Sequence, residues 1–183
     1  MTREKTLNLT YGALFTALIA VCAWISVPVP KPFVPFTMQT FAVFSAVMVM
    51  GGRRGLMSII AYLLIGAAGA PVFAGFRGGL GVLLGNTGGY LIGFAALALV
   101  YWLITALLGD DALWVKILSG AAGLIACYAF GTAWFMISGA GGSGYAGIIS
   151  SLSLCVFPFV IPDFIKMAMA VMLSTRLKIF KNI

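Results

Sequence analysis

"TGGYLIGFAALALVYWLITALL", residues 87–108, runs 22 residues without a charged side chain. As a helix rising 1.5 Å per residue it extends about 33 Å, enough to cross a hydrocarbon core of about 30 Å. It is not isolated. Apolar residues make up 62% of the chain and charged ones 8%, against roughly 25% charged in a water-soluble globule. The chain reads as an all-α membrane protein, since barrel strands would show short alternating segments instead.

Working outward from this stretch, apolar runs at 8–28, 36–51, 55–72, 87–108, 113–138 and 161–180 predict six transmembrane helices in one domain, residues 1–183. The start formally satisfies a signal-peptide rule at Val21 and Ala23, but its apolar run is too long, so it reads as the first span. No internal repeat recurs at a fixed period, which argues against an inverted-repeat transporter.

The net charge of +7 does not point to nucleic acid, because of where it falls. Arg3, Lys5, Arg53, Arg54, Lys116, Arg176, Lys178 and Lys181 mark one side of the membrane, and only Lys31 and Arg77 the other. The positive-inside tendency then puts both termini in the cytoplasm, as a multi-pass protein of the cell membrane. There is no histidine, and Cys22, Cys127 and Cys155 stand singly. No metal or cofactor is expected, nor an enzyme: the spans hold neither an acidic pair nor a serine with an evident base.

The inner connections "GGRRG" and "GDDA" are short and charged. On the outer side "VPVPKPFVPF" is proline-rich, extended and semi-rigid. "PVFAGFRGGLGVLLGN" and "SGAGGSGYAGIISSLSLCVFPFV" are apolar and glycine-rich, and are expected as ordered outer loops folded over a cavity. Residues 145–157 suggest a short helix on or in the outer leaflet.

"PFVIPDFIK", residues 158–166, holds Asp163 and Lys166 one turn apart on one helix face. Each would cost about 2.5–3.5 kcal/mol if exposed to lipid at mid-membrane, so both must face protein or a cavity. Pro162 fits the first helical position, with Asp163 complementing the positive end of the dipole. Mutual neutralisation explains Asp163 well but Lys166 poorly, since a cation opposes the dipole there. A ligand carrying donors and acceptors would use both.

In "GFRGGLGVLLGNTGGYLIGF", residues 75–94, Arg77, Asn86, Thr87 and Tyr90 offer hydrogen-bonding groups near the outer mouth. Tight packing around Gly88, Gly89 and Gly93 is the plainer reading of its glycines. Thr37 and Gln39 begin the second span, where Gln39 either ties helices or touches a ligand. Phe33, Phe36, Phe73 and Trp134 are candidate apolar wall. In "YGALFTALIA", residues 11–20, Gly12, Ala13, Thr16, Ala17 and Ala20 form a small-residue strip that packs inside the protein or docks a partner helix.

With these residues in view, the chain resembles the biotin-binding S components of energy-coupling factor (ECF) transporters, the BioY family. "VPFTMQTFAVF", "GGRRGLMSIIAYLLIGAAGAPVFAG", "GGLGVLLGNTGGYLIGF" and "PFVIPDFIK" stand in the family's order and spacing over nearly the whole chain. The resemblance implies six helices, a biotin site near the extracellular face, and partners: a transmembrane coupling subunit and two cytoplasmic ATPase subunits. Ala13 and Ala17 match the family's alanine motif for docking the coupling subunit. Where the family commonly has proline this chain has Asn86, so a ligand role for Asn86 rests on its chemistry alone.

The implied substrate matches the residues. Biotin offers two ureido N–H donors, a ureido carbonyl, an apolar body and a carboxylate. Asp163 can accept from N–H; Lys166 can donate to the carbonyl or the carboxylate, and Arg77 is the other cation near the mouth. With no nucleotide-hydrolysing motif here, uptake needs partner ATPases. The alternatives are an S component for another small vitamin, or an autonomous carrier or channel with Asp163 as its ion site.

Overall fold

A computed structural model describes residues 3–27, 36–109, 112–139 and 144–177, with side chains of 144–146 excluded. The chain forms α1 (Arg3–Trp24), β1 (Ser26–Val27), β2 (Phe36–Thr37), α2 (Gln39–Met50), α3 (Gly52–Ala67), α4 (Leu80–Leu83), α5 (Gly88–Leu108), α6 (Leu113–Ile137), α7 (Gly144–Cys155) and α8 (Phe157–Arg176). Three helices, α1, α5 and α6, are each long and apolar enough to cross a membrane. So is the 30-residue length from Gly147 to Arg176, where only Val156 separates α7 from α8.

Apolar side chains lie both inside and outside, as lipid allows. Ile19, Val43, Phe44, Val47, Leu97 and Tyr101 are fully buried, whereas Leu107, Ile137 and Ile161 are 84%, 86% and 73% exposed. In water this outer shell would be a large uncovered apolar surface; in a bilayer it is the solvent-facing one.

Glycines bring α5 and α6 together. A Cβ on Gly123 would lie 2.8 Å from the Leu97 carbonyl oxygen, and one on Gly93 3.0 Å from that of Cys127. Gly89 meets Trp134, and Gly131 meets the ring of Tyr90. The close-packing reading of Gly88, Gly89 and Gly93 is the one the fold uses: Gly88 sits against the Leu83 backbone.

The middle spans differ from their expected bounds. "GGRRG" is not a loop: Gly51, at φ 84°, is the only residue between α2 and α3. Its left-handed backbone favours glycine, and the turn places Arg53 and Arg54 in the first turn of α3. At 12 residues α2 is short, because residues 36–37 are drawn into a strand pair with Ser26 and Val27. The Met38 N–H also donates to the Ile25 carbonyl at 3.1 Å. This pair closes the foot of the proline segment, whose residues 28–35, including Lys31 and Phe33, lie outside the described residues.

The last helix begins earlier than its sequence suggests. Pro162 is inside α8, and Pro158 occupies the N-terminal position instead. Asp163 is therefore not in the first turn, and the dipole-capping expectation is corrected. Two prolines four apart compete for the helix start; the extra turn wins because it stacks Phe159 on Phe36, ring centroids 5.9 Å apart. Elsewhere Lys116, expected only as a charge marker, donates to the Met48 carbonyl and the Ser174 hydroxyl, each at 3.3 Å. It ties α2, α6 and α8 and suits the negative end of α2.

Candidate functional site

Five helices, the short strand β2 and the segment between α3 and α5 converge on a cavity. Its wall takes Gln39 and Thr40 from α2, Tyr90 and Phe94 from α5, Cys127 and Tyr128 from α6, and Phe159, Asp163 and Lys166 from α8. Phe73, Ala74, Arg77 and Val82 line it from the segment between α3 and α5, and Thr37 of β2 and Cys155 at the end of α7 close it.

That segment is held in shape by its own backbone. Phe73 and Arg77 bridge, with the Phe73 N–H donating to the Arg77 carbonyl at 2.9 Å, and the Gly79 N–H reaches the Gly66 carbonyl at 2.7 Å. Phe76 pays for the tight turn with a φ of 56°, unusual for a bulky residue. Its ring stacks on Trp24 at 5.0 Å, and Trp24 Nε1 donates to the Pro71 carbonyl at 2.8 Å. The end of α1 thus props the turn that carries Arg77.

The charged pair lies at the cavity wall. Asp163 and Lys166 are each 4% exposed, so little solvent compensates either charge. Lys166 Nζ donates to Asp163 Oδ1 at 2.8 Å and lies 4.2 Å from the centroid of Phe36, a cation–π distance. Tyr128 Oη donates to Asp163 Oδ2 at 2.7 Å. Each carboxylate oxygen retains acceptor capacity, and the ammonium has N–H donors beyond the one given to Asp163. Aromatic and aliphatic walls beside this pair suit a compact ligand that is apolar over most of its surface and bears both donors and acceptors at one end.

The other expected site residues divide. Tyr90 is buried at the wall, its hydroxyl 3.1 Å from the Thr132 hydroxyl. Gln39 lines the cavity and also ties α2 to α3, donating from Nε2 to Tyr62 Oη at 2.8 Å, so the helix-tying reading of it holds. Arg77 is exposed at the rim, with Nε donating to the Ala74 carbonyl at 3.1 Å. Asn86 is a correction: it is exposed and absent from the lining, while its neighbour Thr87 is part of the wall. The turn before α5 points residue 86 away because Gly88 must pack on the Leu83 backbone. Trp134, expected as wall, instead donates from Nε1 to the Gly85 carbonyl at 3.0 Å.

Tyr128 is the residue that sequence reasoning missed. A tyrosine hydroxyl deep in an apolar span needs a partner, and Asp163 is the only acid within the six apolar runs of the sequence. Pairing the two was available from that elimination.

On the other side of α3, Gly12, Ala13, Thr16 and Ala17 of α1 face Met57, Ala61 and Ile65 across an open apolar groove, with Lys5, Arg53 and Arg54 at one end. Ala13 and Ala17 are exposed. Thr16 closes the groove floor, its hydroxyl donating to the Ser58 carbonyl at 3.0 Å.

Known proteins resemble this chain in sequence and in fold. The chain is 42% identical over 171 residues to a biotin transporter BioY of Thermotoga maritima, covering 93% of this chain and 95% of that one. It is 37% identical over 174 residues to a probable biotin transporter BioY of Pyrococcus horikoshii, covering 95% and 98%. In three dimensions it is similar to the crystal structure of the S-component for biotin from an ECF-type ABC transporter. That likeness has a TM-score of 0.83 and 26% identity, covering 97% of this chain and 94% of that one. The BioY family profile matches residues 1–182, and the chain belongs to the BioY family.

Proposed function

We propose that this multi-pass cell-membrane protein is the biotin-binding S component of an ECF-type importer. The observation that carries the reading is the buried Asp163–Lys166 pair, oriented by Tyr128, at the wall of an otherwise largely apolar cavity. A cyclic urea has two N–H donors and one carbonyl. Asp163 accepts an N–H, Lys166 donates to the carbonyl, and Phe73, Phe94 and Phe159 cover the apolar body. Arg77, at the rim, takes the carboxylate of the side chain.

Six crossing helices with both termini cytoplasmic put this cavity near the outer face, where the segment between α3 and α5 caps it. The α1–α3 groove, where Ala13 and Ala17 leave room for close approach, receives a helix of a transmembrane coupling subunit. Two ATPase subunits bound to that partner supply the energy. The test is to identify the small molecule that copurifies with the detergent-extracted protein from cells fed a vitamin mixture. Biotin is the expected finding; a different vitamin bound in stoichiometric amount would replace it as the substrate.

A further inference from the structure

Tyr62 fixes which end of the Gln39 amide faces the cavity. Its hydroxyl, on a residue with no exposed surface, contacts two groups. One is the Val72 carbonyl at 3.1 Å, which can only accept, so the single hydroxyl proton goes there. The other is Gln39 at 2.8 Å. With its proton spent, Tyr62 Oη can only accept from Gln39, and the amide must present its NH2. The reverse amide orientation would ask one proton to serve two acceptors.

Gln39 Oε1 is then directed elsewhere. The residue is 3% exposed and lines the cavity, yet among the described residues Oε1 has no hydrogen-bond partner. It is also not among the fully enclosed polar atoms left without one. A carbonyl oxygen without a partner on a nearly buried side chain of the cavity wall is an acceptor awaiting a donor. We propose that Gln39 Oε1 accepts a hydrogen bond from an N–H of the bound ligand, and that Tyr62 is the positioning residue that holds the amide in this orientation.

The assignment rests on the biotin reading and adds to it a specificity element: the site prefers ligands with a second N–H beyond the one given to Asp163. An analogue with oxygen or methylated nitrogen in place of that N–H leaves Oε1 unpaired and buried, a larger penalty than the loss of an average hydrogen bond.

Calorimetric titration of the full chain in detergent tests it, with biotin and with its two singly N-methylated ureido analogues. Gln39→Leu is expected to weaken biotin binding roughly threefold to tenfold, the size of one neutral hydrogen bond. For one analogue the wild type's discrimination against it should largely vanish in this variant. Tyr62→Phe, which frees the amide to rotate, should show a smaller loss in the same direction, with no additional loss when combined with Gln39→Leu.

Gln39→Leu binding biotin like the wild type, or keeping full discrimination against both analogues, overturns the assignment. Failure of the wild type to bind biotin at all would instead overturn the functional reading beneath it.

Discussion

Replacing Lys166 by Met while leaving Asp163 in place is the most telling perturbation of the site. It removes the 2.8 Å bond to Asp163 Oδ1 and the cation above Phe36, leaving a carboxylate that is 4% exposed with Tyr128 as its remaining partner. Breaking a buried pair from one side costs about 3–5 kcal/mol of stability, because the orphaned charge stays behind. For the ligand, loss of a buried charge-assisted contact costs about 2–5 kcal/mol, a rise in Kd of roughly 30-fold to more than 1,000-fold. The double variant Asp163→Asn/Lys166→Met separates the two effects. With both charges gone there is no orphan, so folding recovers towards the wild type, but the ligand still finds neither carboxylate nor ammonium. Thermal unfolding monitored by size-exclusion in detergent reads the first effect, and calorimetry with biotin the second. Recovery of stability without recovery of binding is expected. A double variant that binds biotin within about threefold of the wild type would refute a binding role and leave the pair as a structural tie.

Arg77→Met should weaken biotin about twofold to fivefold, the scale of an exposed ion pair; it should also shrink the wild type's preference for biotin over biotin amide, and an unchanged preference would make Arg77 an interfacial anchor only. Replacing Ala13 and Ala17 by Trp fills the α1–α3 groove, so the double variant is expected to bind biotin normally yet fail to copurify with the coupling subunit or to support ATP-driven uptake. Normal uptake would remove the groove as the docking surface. Gly131→Ala drives a Cβ into the ring of Tyr90, an overpacking of about 1–3 kcal/mol; unfolding temperature and biotin affinity should fall together, and an unchanged affinity would show that the Tyr90 wall is not part of the site.

Much of this was legible in the sequence where one physical constraint dominates. The length and apolarity of 87–108 and 113–138 predict α5 and α6 within a residue of their ends, because lipid crossing leaves a chain few alternatives. Charges inside spans had to face a cavity, which found Asp163 and Lys166. What escaped was decided by contacts between distant segments. The start of α8 depends on Phe159 reaching Phe36, not on the local merits of Pro158 and Pro162. The end of α2 is set by the positive φ of Gly51 and its start by pairing with residues 26–27, neither visible in an apolar run. Asn86 looked like a ligand group by chemistry, but its direction follows from the packing of Gly88 on Leu83. The orientation of Gln39 needed Tyr62 and Val72, which stand 23 and 33 positions further along the chain.

Every prediction above depends on the proposal that the cavity between α2, α5, α6 and α8 binds biotin through Asp163 and Lys166. Calorimetric titration of the purified, ligand-free chain with biotin, alongside the same chain carrying Lys166→Met, tests it most directly. One saturable site per chain is expected in the wild type, and a loss of at least about 30-fold in affinity in the variant. Equal affinity in the two proteins, or no saturable binding in the wild type, would contradict it.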